Sequence, residues 1–77
     1  MKLKVAICKE VEIEVDDKFD ALVDFCELYP TQEDEKLRQE CILAVEEKLG
    51  MKNANVAPSM PYIIGIEDLN NKLIAEF

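Results

Sequence analysis

The sequence predicts an α+β fold of order ββααββ, a four-stranded antiparallel sheet with two helices packed on one of its faces. Three patterns predict it. Leu3, Val5, Ile7, Val11, Ile13 and Val15 all fall at odd positions, while Lys2, Lys4, Glu12, Glu14 and Asp16 fall at even ones. Side chains two apart share a face in an extended chain, so this stretch builds a sheet with one dry and one wet side. Between residues 17 and 49 the apolar spacing changes to the three-and-four step of a helix. From Tyr62 to Phe77 alternation returns around Asn70-Asn71.

Residues 2–16 are too long for a single straight strand in a domain of this size, so a hairpin is expected. A two-residue turn at Lys9-Glu10 would set Ile7 against Glu12 and mix charge with apolar groups. A three-residue connection, Cys8-Lys9-Glu10, pairs Ile7 with Val11, Val5 with Ile13 and Leu3 with Val15, and sets Lys4 opposite Glu14 and Lys2 opposite Asp16. Cross-strand pairs of either kind contribute about 0.2–1 kcal/mol, which favours the second register. Asp16 or Asp17 then caps a helix carrying Phe19, Leu22, Val23, Cys26 and Tyr29 on its apolar stripe, and Pro30 stops it.

Thr31 opens the longer helix. Glu33, Asp34 and Glu35 suit the positive end of its dipole, and Asp34 and Arg38 stand one turn apart. Leu37, Cys41, Ile42, Ala44, Val45 and Leu49 face inward, and Gly50 ends the helix in the left-handed conformation. Residues 51–61 form a loop in which Pro58 and Pro61 forbid regular structure, with Met51, Val56 and Met60 as lids over the core. In the last hairpin an Asn70-Asn71 turn pairs Glu67 with Ile74, Ile66 with Ala75 and Ile64 with Phe77. This puts Tyr62, Ile64, Ile66, Leu73, Ala75 and Phe77 on the core face and leaves Ala6, Ile63 and Ile74 for the outer one.

Seventy-seven residues make one domain, 1–77. No apolar run approaches the roughly 18 residues of a membrane span, and a cytoplasmic protein with no membrane partner is expected. Three cysteines at wide spacing and no histidine argue against a disulfide framework or a zinc site, and Cys26 and Cys41 read as core residues. No acid–base histidine and no glycine-rich phosphate loop is present, so no enzyme and no cofactor is expected.

The charge is the remaining signal. The net charge is −8, and residues 10–35 hold eleven acids against Lys18 alone. Direct nucleic-acid binding is disfavoured and a basic protein surface is the expected partner, a nucleic-acid-binding protein among the candidates. The partner-binding residues are Glu12, Glu14 and Asp16 on the strand, followed by Asp17, Asp20, Asp24 and Glu27 on the helix. Helical neighbours lie about 5–6 Å apart, a spacing at which a row of carboxylates imitates a phosphate backbone.

The run Val11-Glu12-Ile13-Glu14-Val15-Asp16-Asp17, with a basic-start strand before it and a helix after it, resembles small uncharacterised accessory proteins of prophages and conjugative elements over residues 2–28. The resemblance implies a small acidic inhibitor-type interaction protein, since some such proteins inhibit host nucleases as anti-CRISPR proteins do. The alternative is a structural or assembly module that self-associates through its sheet. The chain is expected to be a monomer or a homodimer.

Overall fold

The computed structural model describes residues 1–26 and 31–77. Strands β1 (Lys2–Ala6), β2 (Glu10–Glu14), β3 (Gly65–Asp68) and β4 (Leu73–Glu76) form one sheet in the order β2-β1-β3-β4, and every neighbouring pair is antiparallel. Among the described residues one α-helix, α1 (Gln32–Leu49), covers the sheet. β2 and β3 run parallel with β1 between them, so the chain crosses β1 through α1 on its way from one to the other.

The two-helix expectation is corrected. Where the first helix was expected, the chain makes a 3₁₀ turn over Asp17–Ala21 and then extends. Asp16 caps that turn, its side chain accepting from the Lys18 amide at 2.8 Å. Leu22 already has extended angles (φ −65°, ψ 138°). Asp24 weakens a helix here, because a short carboxylate in the interior competes for nearby backbone donors, as its bond from the Cys26 amide (2.9 Å) shows. Tertiary structure then takes the backbone away. The Phe25 amide donates to the Leu73 carbonyl (2.7 Å), the Val23 amide to Asp34 (3.1 Å) and the Leu73 amide to Asp24 (3.0 Å). Residues 16–26 thus form a strap from the end of β2 to the outer edge of β4. The strap still buries Phe19 and Leu22, two residues of the expected stripe, while Val23, Phe25 and Cys26 are exposed. Tyr29 and Pro30 lie outside the described residues.

α1 is as expected. The Thr31 hydroxyl accepts from the Asp34 amide at 3.0 Å, and Gly50 ends the helix at φ 67°. Cys41, Ile42 and Val45 are buried against Leu3, Val5, Ile63, Ile66, Ile74 and Ala75, with Leu37, Ala44 and Leu49 packed beside them.

Both hairpins keep much of the expected pattern and depart in register. The first pairs Lys2 with Glu14, Leu3 with Ile13, Lys4 with Glu12 and Val5 with Val11, closing through Ile7-Cys8-Lys9. The connection still has three residues but sits one residue earlier, so every pair moves by two. Such a shift leaves both faces unchanged, and the apolar pattern cannot separate the two registers. In the second, Ile66 faces Ala75 as expected, but Glu67 faces Leu73. The extra residue, Ile74, is a bulge that turns inward and is fully buried, while Leu73 is only half-buried. Ile63 is likewise buried and bridges Asn53, while Ile64 is exposed. The expected outer positions Ile63 and Ile74 are therefore core. Asn71 takes φ 66°, and the Asp68 carboxylate accepts from the Asn70 (2.9 Å) and Lys72 (2.8 Å) amides to hold the turn. Of the expected lids only Met51 packs on the core, whereas Val56 and Met60 are 64% and 60% exposed.

Candidate functional site

Helix α1 and the strap cover one face of the sheet. The other face is open, and the even residues of the first hairpin populate it. Glu10, Glu12 and Glu14 stand on β2, all exposed, and β2 is an edge strand. Successive members of this row lie about 6.6–6.8 Å apart, two strand residues on. Lys4, opposite Glu12, turns the other way: its ammonium meets Glu67 at 3.2 Å and Asn71 Oδ1 at 2.9 Å. Among the described residues no ion pair involves Glu10, Glu12, Glu14, Asp16 or Asp20.

The expected partner-binding residues divide into two groups. Glu12 and Glu14 share the open face, and Asp16 and Asp20 are exposed on the segment that follows β2, which reaches the β3–β4 turn where Lys72 Nζ donates to the Asp20 carbonyl (2.9 Å). Asp17 and Asp24 serve the fold. The Met1 ammonium donates to Asp17 and holds its carboxyl below the ordinary carboxylate range. Asp24 accepts from the Cys26 (2.9 Å) and Leu73 (3.0 Å) amides, which lower its pKa in the same way. Glu27 lies outside the described residues. With a 3₁₀ turn in place of a helix, the helical spacing expected for 17–24 is lost, and the regular array is the strand row. Glu10 completes that row; its even parity with Glu12 and Glu14 is the signal that finds it.

The expected pairing of Asp34 with Arg38 is present, but the burial of three charges among the described residues, Arg38, Glu46 and Asp68, escapes the pattern reading. Arg38, 7% exposed, donates to the Val23 carbonyl (2.6 Å), the Ile74 carbonyl and Asp34 Oδ2 (2.7 Å). Burial raises the Asp34 pKa, but the Val23 amide and Arg38 outweigh it and hold the carboxyl below its ordinary value. Glu46 accepts from the Asn53 amide and side chain (2.9 and 3.0 Å), and Asp68 holds the β3–β4 turn. Each is committed to the loop or strand it ties.

The two outer edges of the sheet differ. On β4 the Leu73 amide and carbonyl and the Ile74 carbonyl are bonded by Asp24, Phe25 and Arg38. On β2, Met1 and Val15 exchange both backbone bonds (2.7 and 2.8 Å), and the Ile7 amide donates to Lys9 at the other end (2.8 Å). Bonded and unbonded pairs alternate in an antiparallel ladder. Odd residues of β2 therefore bond β1, and Glu10, Glu12 and Glu14 point their N–H and C=O groups off the edge. Among the described residues nothing bonds to them.

No helix among the described residues is long and apolar enough to cross a membrane. No protein-family model matches the chain, and neither the curated proteins nor the solved structures yielded a match.

Proposed function

We propose that this protein is a non-enzymatic, cytoplasmic interaction module that docks through its acidic face on a basic protein surface, such as the groove of a nucleic-acid-binding protein. The observation that carries the reading is the exposed, regularly spaced row Glu10, Glu12 and Glu14 on an open sheet face, without an ion pair among the described residues and followed along the chain by the exposed Asp16 and Asp20. Unpaired carboxylates in a row give a negative field that steers and orients a cationic partner. The same row repels phosphate, which fits a protein partner and not nucleic acid itself. The inhibitor-type role implied by the resemblance over residues 2–28 is consistent with occupying such a groove.

The test uses purified basic nucleic-acid-binding proteins and variants chosen from residues that do not brace the fold. The E12K/E14K/D20K triple variant should lose capture of a basic protein that the parent chain holds, and duplex DNA should compete with the parent. Capture that survives the triple reversal would remove the acidic face from the account.

A further inference from the structure

We propose that the outer edge of β2 receives an extended strand of the partner, antiparallel to β2, with Lys or Arg at alternate positions and apolar residues between them. The inference rests on the acidic-face reading and specifies how that face is engaged.

Two independent features meet at this strand. The first is the backbone: Glu10, Glu12 and Glu14 present donors and acceptors off a sheet edge that nothing among the described residues bonds, which is a template for another strand. The opposite edge, β4, is covered over its first half, where Asp24, Phe25 and Arg38 bond Leu73 and Ile74. The strap covers part of one edge, and among the described residues nothing covers the other.

The second feature is charge in register with that backbone. The residues with free backbone groups are the ones carrying the carboxylates. In an added antiparallel strand, the residue that exchanges backbone bonds with Glu12 also sets its side chain beside Glu12 on the open face. Basic residues at every second position would therefore meet Glu10, Glu12 and Glu14 in turn. The intervening side chains would fall beside Val11, Ile13 and Val15, which are only half-buried at this edge and gain cover from apolar neighbours. The chain contains a precedent for the register alone, because β1 (Lys2-Leu3-Lys4-Val5) meets the inner edge of β2 with its lysines at the positions opposite Glu14 and Glu12, although Lys4 gives its ammonium to Glu67.

Charge also selects among occupants. Two copies joined antiparallel through β2 would set one glutamate row against the other, and like charges directly opposite are destabilising. A basic strand from a different protein suits the edge where a second copy does not.

The experiment adds a short capped peptide alternating Lys and Val to the full chain and follows backbone amides by NMR hydrogen exchange. Exchange at Glu10, Glu12 and Glu14 should slow by about tenfold or more at saturation, the response of an edge that gains a strand. A peptide of the same sequence, N-methylated on the lysine amides, keeps its charge but cannot bond the edge and should bind at least about tenfold more weakly. The E12Q/E14Q variant keeps the backbone edge and should weaken the parent peptide comparably. Equal binding of the methylated peptide, or binding without slowed exchange, would overturn strand addition while leaving charge-driven docking intact. If neither the peptides nor the basic proteins bind at all, both readings fail.

Discussion

Loss of Arg38 should cost the fold heavily. It is buried, and its guanidinium joins three pieces of chain: Asp34 on its own helix, the Val23 carbonyl of the strap and the Ile74 carbonyl of β4. Methionine would keep the apolar stem and remove every donor. Breaking a buried pair by deleting one partner costs about 3–5 kcal/mol, because the other charge stays buried without it. Asp34 retains the Val23 amide at 3.1 Å, so the lower end, about 3 kcal/mol, is expected for R38M. At about 0.05–0.15 kcal/mol per residue, 77 residues hold about 4–12 kcal/mol in all, so the variant loses a large share of its stability. A domain this small moves about 4–8 °C per kcal/mol, which puts the fall in Tm near 12–24 °C. Urea unfolding followed by far-UV circular dichroism would measure it, with the slope unchanged and the midpoint lowered. R38K should fail to rescue, since one ammonium cannot reproduce a planar fork that reaches three acceptors. A double-mutant cycle with D34A isolates the pair, and the combined loss should be smaller than the sum of the singles by about 0.5–3 kcal/mol. A loss under about 1 kcal/mol for R38M, or strict additivity with D34A, would refute the view that this guanidinium pins the strap and β4 to the helix.

Two further predictions concern titration and thiol access. Asp24 and Asp34 both have folded pKa values below the ordinary 3.8, Asp24 through its two backbone amides and Asp34 through the Val23 amide and Arg38. Their contribution is therefore complete above that ordinary value and drains away as pH falls through the lowered folded values. Urea midpoints should drop on acidification below about pH 4, and D24N should flatten that limb; a midpoint that rises on acidification would contradict it. Burial pushes the Cys41 thiol up to about 11, Arg38 opposing only in part, while Cys8 and Cys26 are exposed. A thiol reagent near pH 8 should label Cys8 first, Cys26 more slowly because desolvation and Asp24 raise its pKa, and Cys41 only on unfolding; labelling of native Cys41 at the Cys26 rate would show the core to be open.

What could be read from the residues was local and periodic. The alternation of residues 2–15 determined which side of the first hairpin is dry, and Thr31 and Gly50 determined where the long helix begins and ends, because those signals act within a turn or a strand. The glutamate row was legible for the same reason, although Glu10 joins it only once the loop is placed at Ile7-Cys8-Lys9. Register was not legible, since a shift of two residues preserves both faces. The strap over residues 16–26 was not legible either. Its spacing suits a helix, and what overrides the spacing is partners that only folding supplies: Leu73 for Asp24 and Phe25, and Arg38 and Asp34 for Val23. Those long-range bonds cover the start of the β4 edge at Leu73 and Ile74 and turn Asp24 from a candidate contact into a brace. The bulge at Ile74 belongs with them, exchanging the faces of two adjacent apolar residues that composition treats alike. Sequence by itself thus determined the elements that satisfy their own backbone, and the tertiary structure decided the segments whose backbone groups find partners far along the chain.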